Sequence, residues 1–273
     1  VGSVILLIIN LAIIMNPGSF GFGDETSATK IGFLLVGIWW AGFAQIAFYY
    51  LKDRPTGKKD TRQVLGHGIS ELNMVYLALI KRKVMKRYLA SFFFYSMGVQ
   101  TVLLLAPLFA EAEIGMGADE MIMVVLILQI LAIGGAYLFA VVARKLGNSF
   151  SISTMLIIWV IICVSGYFLK EKVSFYVLAG MLGFAMGGIQ AISRSTYSKL
   201  IPSESKDTAS YFSLYDVTEK VAIVIGTFSY GLIDQMTGSM RNSMVFMAIF
   251  FLAGFVLLQT ARLKRSIRVS AKT

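Results

Sequence analysis

The sequence predicts an all-α polytopic membrane protein, and three observations support this fold class. Of the 273 residues, 57% are hydrophobic and only 15% are charged, with a mean hydropathy of +0.74. A typical soluble domain carries about 25% charged residues. Apolar runs near the length of about 20 residues that crosses a bilayer recur along the chain, and most of the basic residues fall in every second loop. The bilayer is therefore the predicted solvent for most of the chain.

Eight apolar segments are predicted to span the membrane. Each is continuously apolar, whereas the strands of a membrane β-barrel are about 10 residues long and alternate in polarity. The first segment lacks the basic start and the small-residue cleavage site of a signal peptide, and the chain begins with valine. We therefore expect part of a membrane helix there, cut by the start of the given sequence, in the C-terminal part of a longer protein. The segments are residues 1–15, 31–51, 88–109, 121–142, 152–169, 174–192, 212–233 and 242–260.

The distribution of lysine and arginine predicts the orientation of the chain. Of 25 basic residues, 20 lie in loops or in the tail on one predicted side of the membrane, and four lie on the other. The positive-inside rule then makes the loop 52–87 and the tail 262–273 cytoplasmic. The net charge of +10 is assigned to this loop bias, and no nucleic-acid partner is expected.

The long basic loop 52–87 divides the chain into two spans, in residues 1–51, and six spans, in residues 88–261. Its apolar residues recur at helical spacing and are followed by clusters of lysine and arginine. This pattern predicts an amphipathic helix at the inner leaflet. Its simplest role is an anchor between two helix bundles, and a lipid-specific role is the open alternative. The apolar residues are Ile69, Leu72, Val75, Tyr76, Leu79 and Ile80.

Polar residues are unevenly distributed over the last six spans. The spans 152–169 and 242–260 are nearly free of them and are predicted to face lipid, while the other four are predicted to face the bundle interior. Two triplets of this kind are typical of a transporter half built from inverted repeats. Amides and phenols on the interior-facing spans either bind a polar solute or bond neighbouring helices. The candidate solute-binding residues are Gln100, Gln190, Tyr95 and Tyr215.

The span 212–233 carries three charged residues, Asp216, Glu219 and Lys220, within a sector of about 100°. Asp216 and Lys220 are predicted to form an i,i+4 ion pair. Glu219 is a candidate proton-binding carboxyl, and the three residues together with Arg194 are candidates for coupling or for a cytoplasmic gate. The alternative is that the helix begins next to these charges, which would then lie at the level of the lipid headgroups.

Small residues follow one another at four-residue intervals in the span 174–192, at Ala179, Gly183, Gly187 and Ala191. Such a stripe predicts close approach of a neighbouring helix, either as static packing or as a sliding contact.

The chain has one histidine, His67, and one cysteine, Cys163. Neither a histidine-rich metal site nor an internal disulfide is expected, and no cofactor is predicted. The nucleophile and zinc-protease motifs of hydrolases are absent from the sequence, so an enzyme is not expected.

Several motifs, in order, resemble the vacuole-effluxer (autophagy-related protein 22-like) family of the major facilitator superfamily. Residues 187–195 (GGIQAISRS), 200–202 (LIP) and 215–220 (YDVTEK) are similar to its signature. Tyr95 with residues 98–101 (GVQT) resembles its seventh-helix motif, and residues 237–241 (TGSMR) resemble its loop between helices eleven and twelve. The resemblance extends from about residue 31 to 258.

The resemblance implies that the eight spans are helices five to twelve of a twelve-helix transporter. Gln100, Gln190, Asp216 and Glu219 would then lie on the cavity-lining helices seven, ten and eleven. Family members often carry asparagine and aspartate immediately before the seventh-helix motif, where this chain has Ser96-Met97. The absence of that acid either moves the expected coupling role to Glu219 or counts against proton coupling.

The function implied by the resemblance is export of small solutes by alternating access, with amino acids as the class known from the fungal relatives. Coupling to a proton gradient is a hypothesis motivated by Glu219. We expect a multi-pass monomer in a bacterial inner membrane, with a small-molecule solute and the lipid bilayer as its partners. The alternative is a non-transporting membrane receptor or accessory subunit. A transporter should be thermally stabilised by its solute, because binding favours the folded state.

Overall fold

The computed structural model describes residues 2–21, 25–50, 64–202 and 208–261, and all regular structure within these ranges is helical. The tail 262–273 and residues 52–63 of the predicted linker lie outside the described residues. A short 3-10 turn, Pro17–Phe20, follows the first α-helix. The α-helices are α1 (Gly2–Met15), α2 (Glu25–Tyr50), α3 (Val64–Lys81), α4 (Lys83–Ile114), α5 (Ala118–Leu146), α6 (Asn148–Tyr167), α7 (Lys172–Leu200), α8 (Thr208–Thr237) and α9 (Met240–Thr260).

Six of these helices are long and apolar enough to cross a membrane: α2, α4, α5, α6, α7 and α9. Two of the eight predicted segments differ. The first lies in α1, whose 14 residues are fewer than the roughly 20 that a bilayer requires. The second lies in α8, which has 30 residues but carries three charges within two turns, and these lower its hydropathy.

The chain divides into two compact units, residues 1–62 and 63–273. In the first unit α1 packs on α2, where Asn10 Oδ1 lies against Gly32 and Ala28 is fully buried. The rest of α2 is mostly exposed and apolar, with Phe33, Trp40 and Phe48 among its most accessible side chains. Such a surface suits lipid rather than water.

The second unit contains α3 to α9 around one hydrophobic core. Its strongest packing joins α5 to α7, α4 to α9 and α6 to α9. Trp159 of α6 stacks on Phe251 of α9 with ring centroids 5.2 Å apart, and both side chains are fully buried. These two helices were predicted to face lipid, but each buries one face against the other and exposes the opposite face. The count of polar residues over a whole helix could not predict this, because in a bilayer both the face that packs on protein and the face that contacts lipid are apolar.

The charged segment of α8 lies well inside the helix. Because α8 begins at Thr208, Glu219 lies about 17 Å from the start of the helix, at 1.5 Å per residue. The helix therefore does not begin beside these charges, and their depth in the bilayer stays a prediction. Helix α3 packs on α4 and α8 through the buried residues Val75 and Leu79, so the linker helix is docked on the helix that carries the charges.

Candidate functional site

A partly open cavity of about 190 Å³ lies among α4, α7 and α8 of the second unit. It combines a carboxylate, a guanidinium, an amide pair, hydroxyl groups and aromatic rings, so it suits a small polar solute better than an apolar one. The lining residues are Phe92, Tyr95, Ser96, Val99, Gln100, Ile189, Gln190, Ser193, Arg194, Tyr215 and Glu219.

Glu219 and Gln100 form a hydrogen bond across the cavity wall. The Gln100 Nε2 group of α4 donates to Glu219 Oε1 of α8 at 2.5 Å, and the pair is partly buried. An acidic side chain in a membrane-spanning bundle is energetically costly unless it is bonded or serves a function. The amide reduces this cost while leaving the second carboxylate oxygen available to a proton or a solute.

Arg194 of α7 pairs with Asp216 of α8, with Nη2 and Oδ1 2.7 Å apart. The guanidinium also lies over the ring of Tyr215, 5.8 Å from its centroid. The predicted pair between Asp216 and Lys220 is wrong, since Lys220 is exposed and forms no ion pair within the described ranges. The neighbouring helix α7 presents a guanidinium to Asp216, which replaces the expected ammonium of Lys220 as its partner.

Two of the candidate solute-binding residues are largely committed to protein contacts. Tyr95 is 2% exposed, and its hydroxyl is 2.7 Å from Ser193 Oγ. Tyr215 is also buried and stacks on Phe92 with centroids 4.0 Å apart. These rings form the rigid wall of the cavity and present little surface to a solute.

Tyr88 lies behind this wall, fully buried, and donates to the Ser193 carbonyl at 2.8 Å. By contrast, Gln190 is exposed at the cavity and has no hydrogen-bond partner among the residues described. Its amide is therefore free for a solute.

The sequence interpretation missed Phe92, Ser96 and Ser193 as lining residues. A signal was present, because Phe92 and Ser96 precede Gln100 by eight and four residues and therefore share its helix face. The span containing Gln129 was predicted to face the interior, yet α5 contributes no residue to this cavity, and neither do α6 and α9.

The small-residue stripe of α7 lies against α5. A Cβ atom at Gly183 would collide with the carbonyl of Leu128, and one at Gly187 would collide with that of Ala132. From the other helix, a Cβ at Gly135 would collide with the Phe184 carbonyl. At the two ends of the stripe, Ala179 is buried and Ala191 is exposed. The backbones of α5 and α7 are therefore in direct contact, as expected where small residues let two membrane helices approach.

No group of three or more potential metal ligands occurs in the described part of the chain.

The architecture is that of the major facilitator fold. A solved structure of the E. coli fucose:proton symporter, FucP, superposes on 87% of this chain and 56% of its own, with a TM-score of 0.57 and 14% sequence identity. At this identity the similarity establishes the fold alone.

The family follows from the sequence comparison. The family model described as vacuole effluxer Atg22 like matches residues 1–271. The chain belongs to this family, which confirms the resemblance seen in its motifs.

Two curated relatives illustrate the similarity. An uncharacterized MFS-type transporter of Bacillus subtilis, YxiO, is 26% identical over 263 residues, covering 94% of this chain and 60% of its own. Autophagy-related protein 22 of Eremothecium gossypii is 27% identical over 264 residues, covering 86% and 50% respectively. The chain thus spans about half the length of the curated relatives it matches.

Proposed function

We propose that the protein is a secondary transporter that moves small solutes, with amino acids as the first class to test, by alternating access in the efflux direction. The observation that carries this proposal is the Gln100–Glu219 hydrogen bond on the wall of a polar cavity among α4, α7 and α8, of which α4 and α7 are long and apolar enough to cross a membrane. Polar and ionisable groups in such a position belong to solute or ion pathways more often than to static packing.

The cavity contains groups of both charge signs. Glu219 offers a carboxylate, and Arg194 offers a guanidinium that Asp216 neutralises only in part, because both partners of that pair are at least half exposed. A zwitterionic solute has one group for each. The efflux direction follows the description of the matching family, and the amino-acid class follows the resemblance to the fungal relatives.

Proton coupling would act through Glu219. Protonation of its carboxyl would remove one charge and weaken its attraction for a cationic group of the solute. The positive-inside pattern supports an orientation with the linker and the tail in the cytoplasm, and a bacterial inner membrane is the location we propose.

The test uses the protein at its natural length in proteoliposomes, with uptake of a labelled amino-acid mixture measured with and without a pH gradient. We expect gradient-dependent accumulation in the parent. In Glu219→Gln we expect the gradient-driven component to fall at least tenfold, while exchange of solute without a gradient persists, because the amide keeps the hydrogen-bonding shape and loses the titratable proton.

Asp234→Asn is the matched control, since Asp234 lies on the same helix and does not line the cavity. It should retain gradient-driven uptake. Full gradient-driven uptake by folded Glu219→Gln would overturn the coupling role. Thermal stabilisation by an amino acid without any uptake would favour the receptor or accessory-subunit function instead.

A further inference from the structure

Five basic residues cluster where α3 ends and α4 begins: Lys81, Arg82, Lys83, Lys86 and Arg87. All five are exposed, and none forms an ion pair with a described residue. No acidic residue occurs between positions 72 and 110. Arg87 is partly engaged, because its Nη1 donates to the Thr260 carbonyl at the end of α9, at 2.8 Å. The other four cations form no ion pair with any residue that the structure describes, so the described surface is complementary to an anion.

The cluster is located at the edge of the bilayer. Helix α4 has 32 residues and is about 48 Å long at 1.5 Å per residue. The hydrocarbon core is about 30 Å thick, so the terminal turns of α4 extend into the headgroup layers. The phosphates of the lipid are therefore the anions nearest to these side chains.

The adjoining helix α3 has two apolar faces, whereas a helix that only packs on the protein surface has one apolar and one polar face. One face is buried on α4 and α8 through Val75 and Leu79. The other carries Met74, Leu77 and Ile80, of which Met74 is 60% and Leu77 53% exposed. An exposed apolar helix face beside a basic cluster is the arrangement by which interfacial helices insert between headgroups and bind acidic lipids.

We infer that the exposed face of α3 together with Lys81, Arg82, Lys83 and Lys86 forms a binding surface for anionic phospholipids. The cations bind the headgroups, and the apolar face inserts beside the upper parts of the acyl chains. Because the opposite face of α3 packs on α8, bound lipid holds the linker helix against the helix that carries Glu219 and Asp216. This inference depends on the membrane assignment and not on the transport proposal.

The test measures thermal unfolding of the protein at its natural length in nanodiscs made of phosphatidylcholine alone or with phosphatidylglycerol. Inorganic phosphate added to the phosphatidylcholine sample separates a headgroup site from a free-phosphate site. We expect phosphatidylglycerol to raise the unfolding midpoint by at least about 3 °C, phosphate to have no effect, and about 0.5 M salt to reduce the shift.

Replacing Lys81, Arg82, Lys83 and Lys86 together by glutamine should remove most of the shift. Arg87 is left intact because it bonds α9. If this variant unfolds below the parent in phosphatidylcholine, Lys83→Gln with Lys86→Gln is used instead and should lose about half of the shift. Met74→Ser with Leu77→Ser tests the apolar face and should also reduce the shift while keeping every charge.

Arg144→Gln with Lys145→Gln is the matched control, because these exposed cations end α5 and belong to a loop on the same predicted side. The control should keep the full shift. Equal stabilisation by both lipids, a shift produced by inorganic phosphate, or a full shift in the charge-removed variant would each overturn the inference.

Discussion

Helix α7 takes part in two contacts that differ in kind. One is its contact with α5, called here the seam, and the other is the cavity wall that it forms with α4 and α8. At the seam, glycines bring the two backbones into direct contact. At the wall, side chains meet instead, through the Gln100–Glu219 bond and the Arg194–Asp216 pair. Backbone contact leaves little room for adjustment, whereas long polar side chains can exchange partners. The difference predicts that the contact between α5 and α7 is rigid and that the side-chain contacts among α4, α7 and α8 can rearrange.

The largest effect on stability is expected from Gly187→Ala at the seam. The added methyl would collide with the carbonyl of Ala132, and a helix backbone cannot yield as a flexible side chain can. We expect the free energy of unfolding to fall by about 1–3 kcal/mol, measured as thermal unfolding in detergent.

Gly134→Ala provides the comparison, since a Cβ at Gly134 has no atom within 4 Å. It should be neutral or raise stability by up to about 1 kcal/mol, because alanine favours helix over glycine. Equal stability of the two variants would refute backbone contact as the basis of the seam.

A smaller effect is expected from Ser91→Ala, which removes a polar contact that lies outside the cavity. Ser91 Oγ donates to the Gly254 carbonyl at 2.6 Å, joining α4 to α9 in a fully buried position. Its loss should cost about 1 kcal/mol of unfolding free energy and leave solute uptake per folded molecule unchanged. The control is Ser229→Ala, whose hydroxyl bonds only within its own helix. A drop in uptake without a drop in stability would show that α9 takes part in the solute path.

The smallest effect on stability is expected at the wall itself, in Arg194→Gln. The side chains of Arg194 and Asp216 are 59% and 50% exposed, and pairs of this kind contribute about 0–1 kcal/mol. Uptake should nevertheless fall clearly, because the cavity loses its cation. Lys199→Gln is the control, a basic residue on the same helix that does not line the cavity. If Arg194→Gln lowered stability as much as Gly187→Ala did, the distinction between rigid seam and adaptable wall would fail.

Much of the fold was predictable because the bilayer restricts what a sequence can form. A spanning segment must be long, apolar and internally hydrogen-bonded, so composition and run length already indicated helices. The all-helical membrane fold and its family are confirmed. The charges of α8 are the exception, because they lower the hydropathy of a helix whose 30 residues are long enough to span a bilayer.

The candidate site was only partly predictable. Helical spacing placed Glu219 and Asp216 on one side of α8, and the choice of Gln100 and Gln190 rested on their being amides in interior-facing spans. The partners of these residues were not predictable, since Arg194 competes with Lys220 for Asp216 from another helix. Periodicity relates residues within a helix and contains no information on which neighbouring helix lies opposite.

The sequence by itself therefore determined the environment of this protein, its helical segments and the faces on which its polar groups lie, because these depend on local composition and on the solvation of the backbone. The tertiary structure alone decided that Glu219 accepts a bond from Gln100, that Arg194 neutralises Asp216, and that α3 buries one apolar face on α8 and exposes the other. Each of these depends on the distance between helices, which is set by how side chains of many residues pack together.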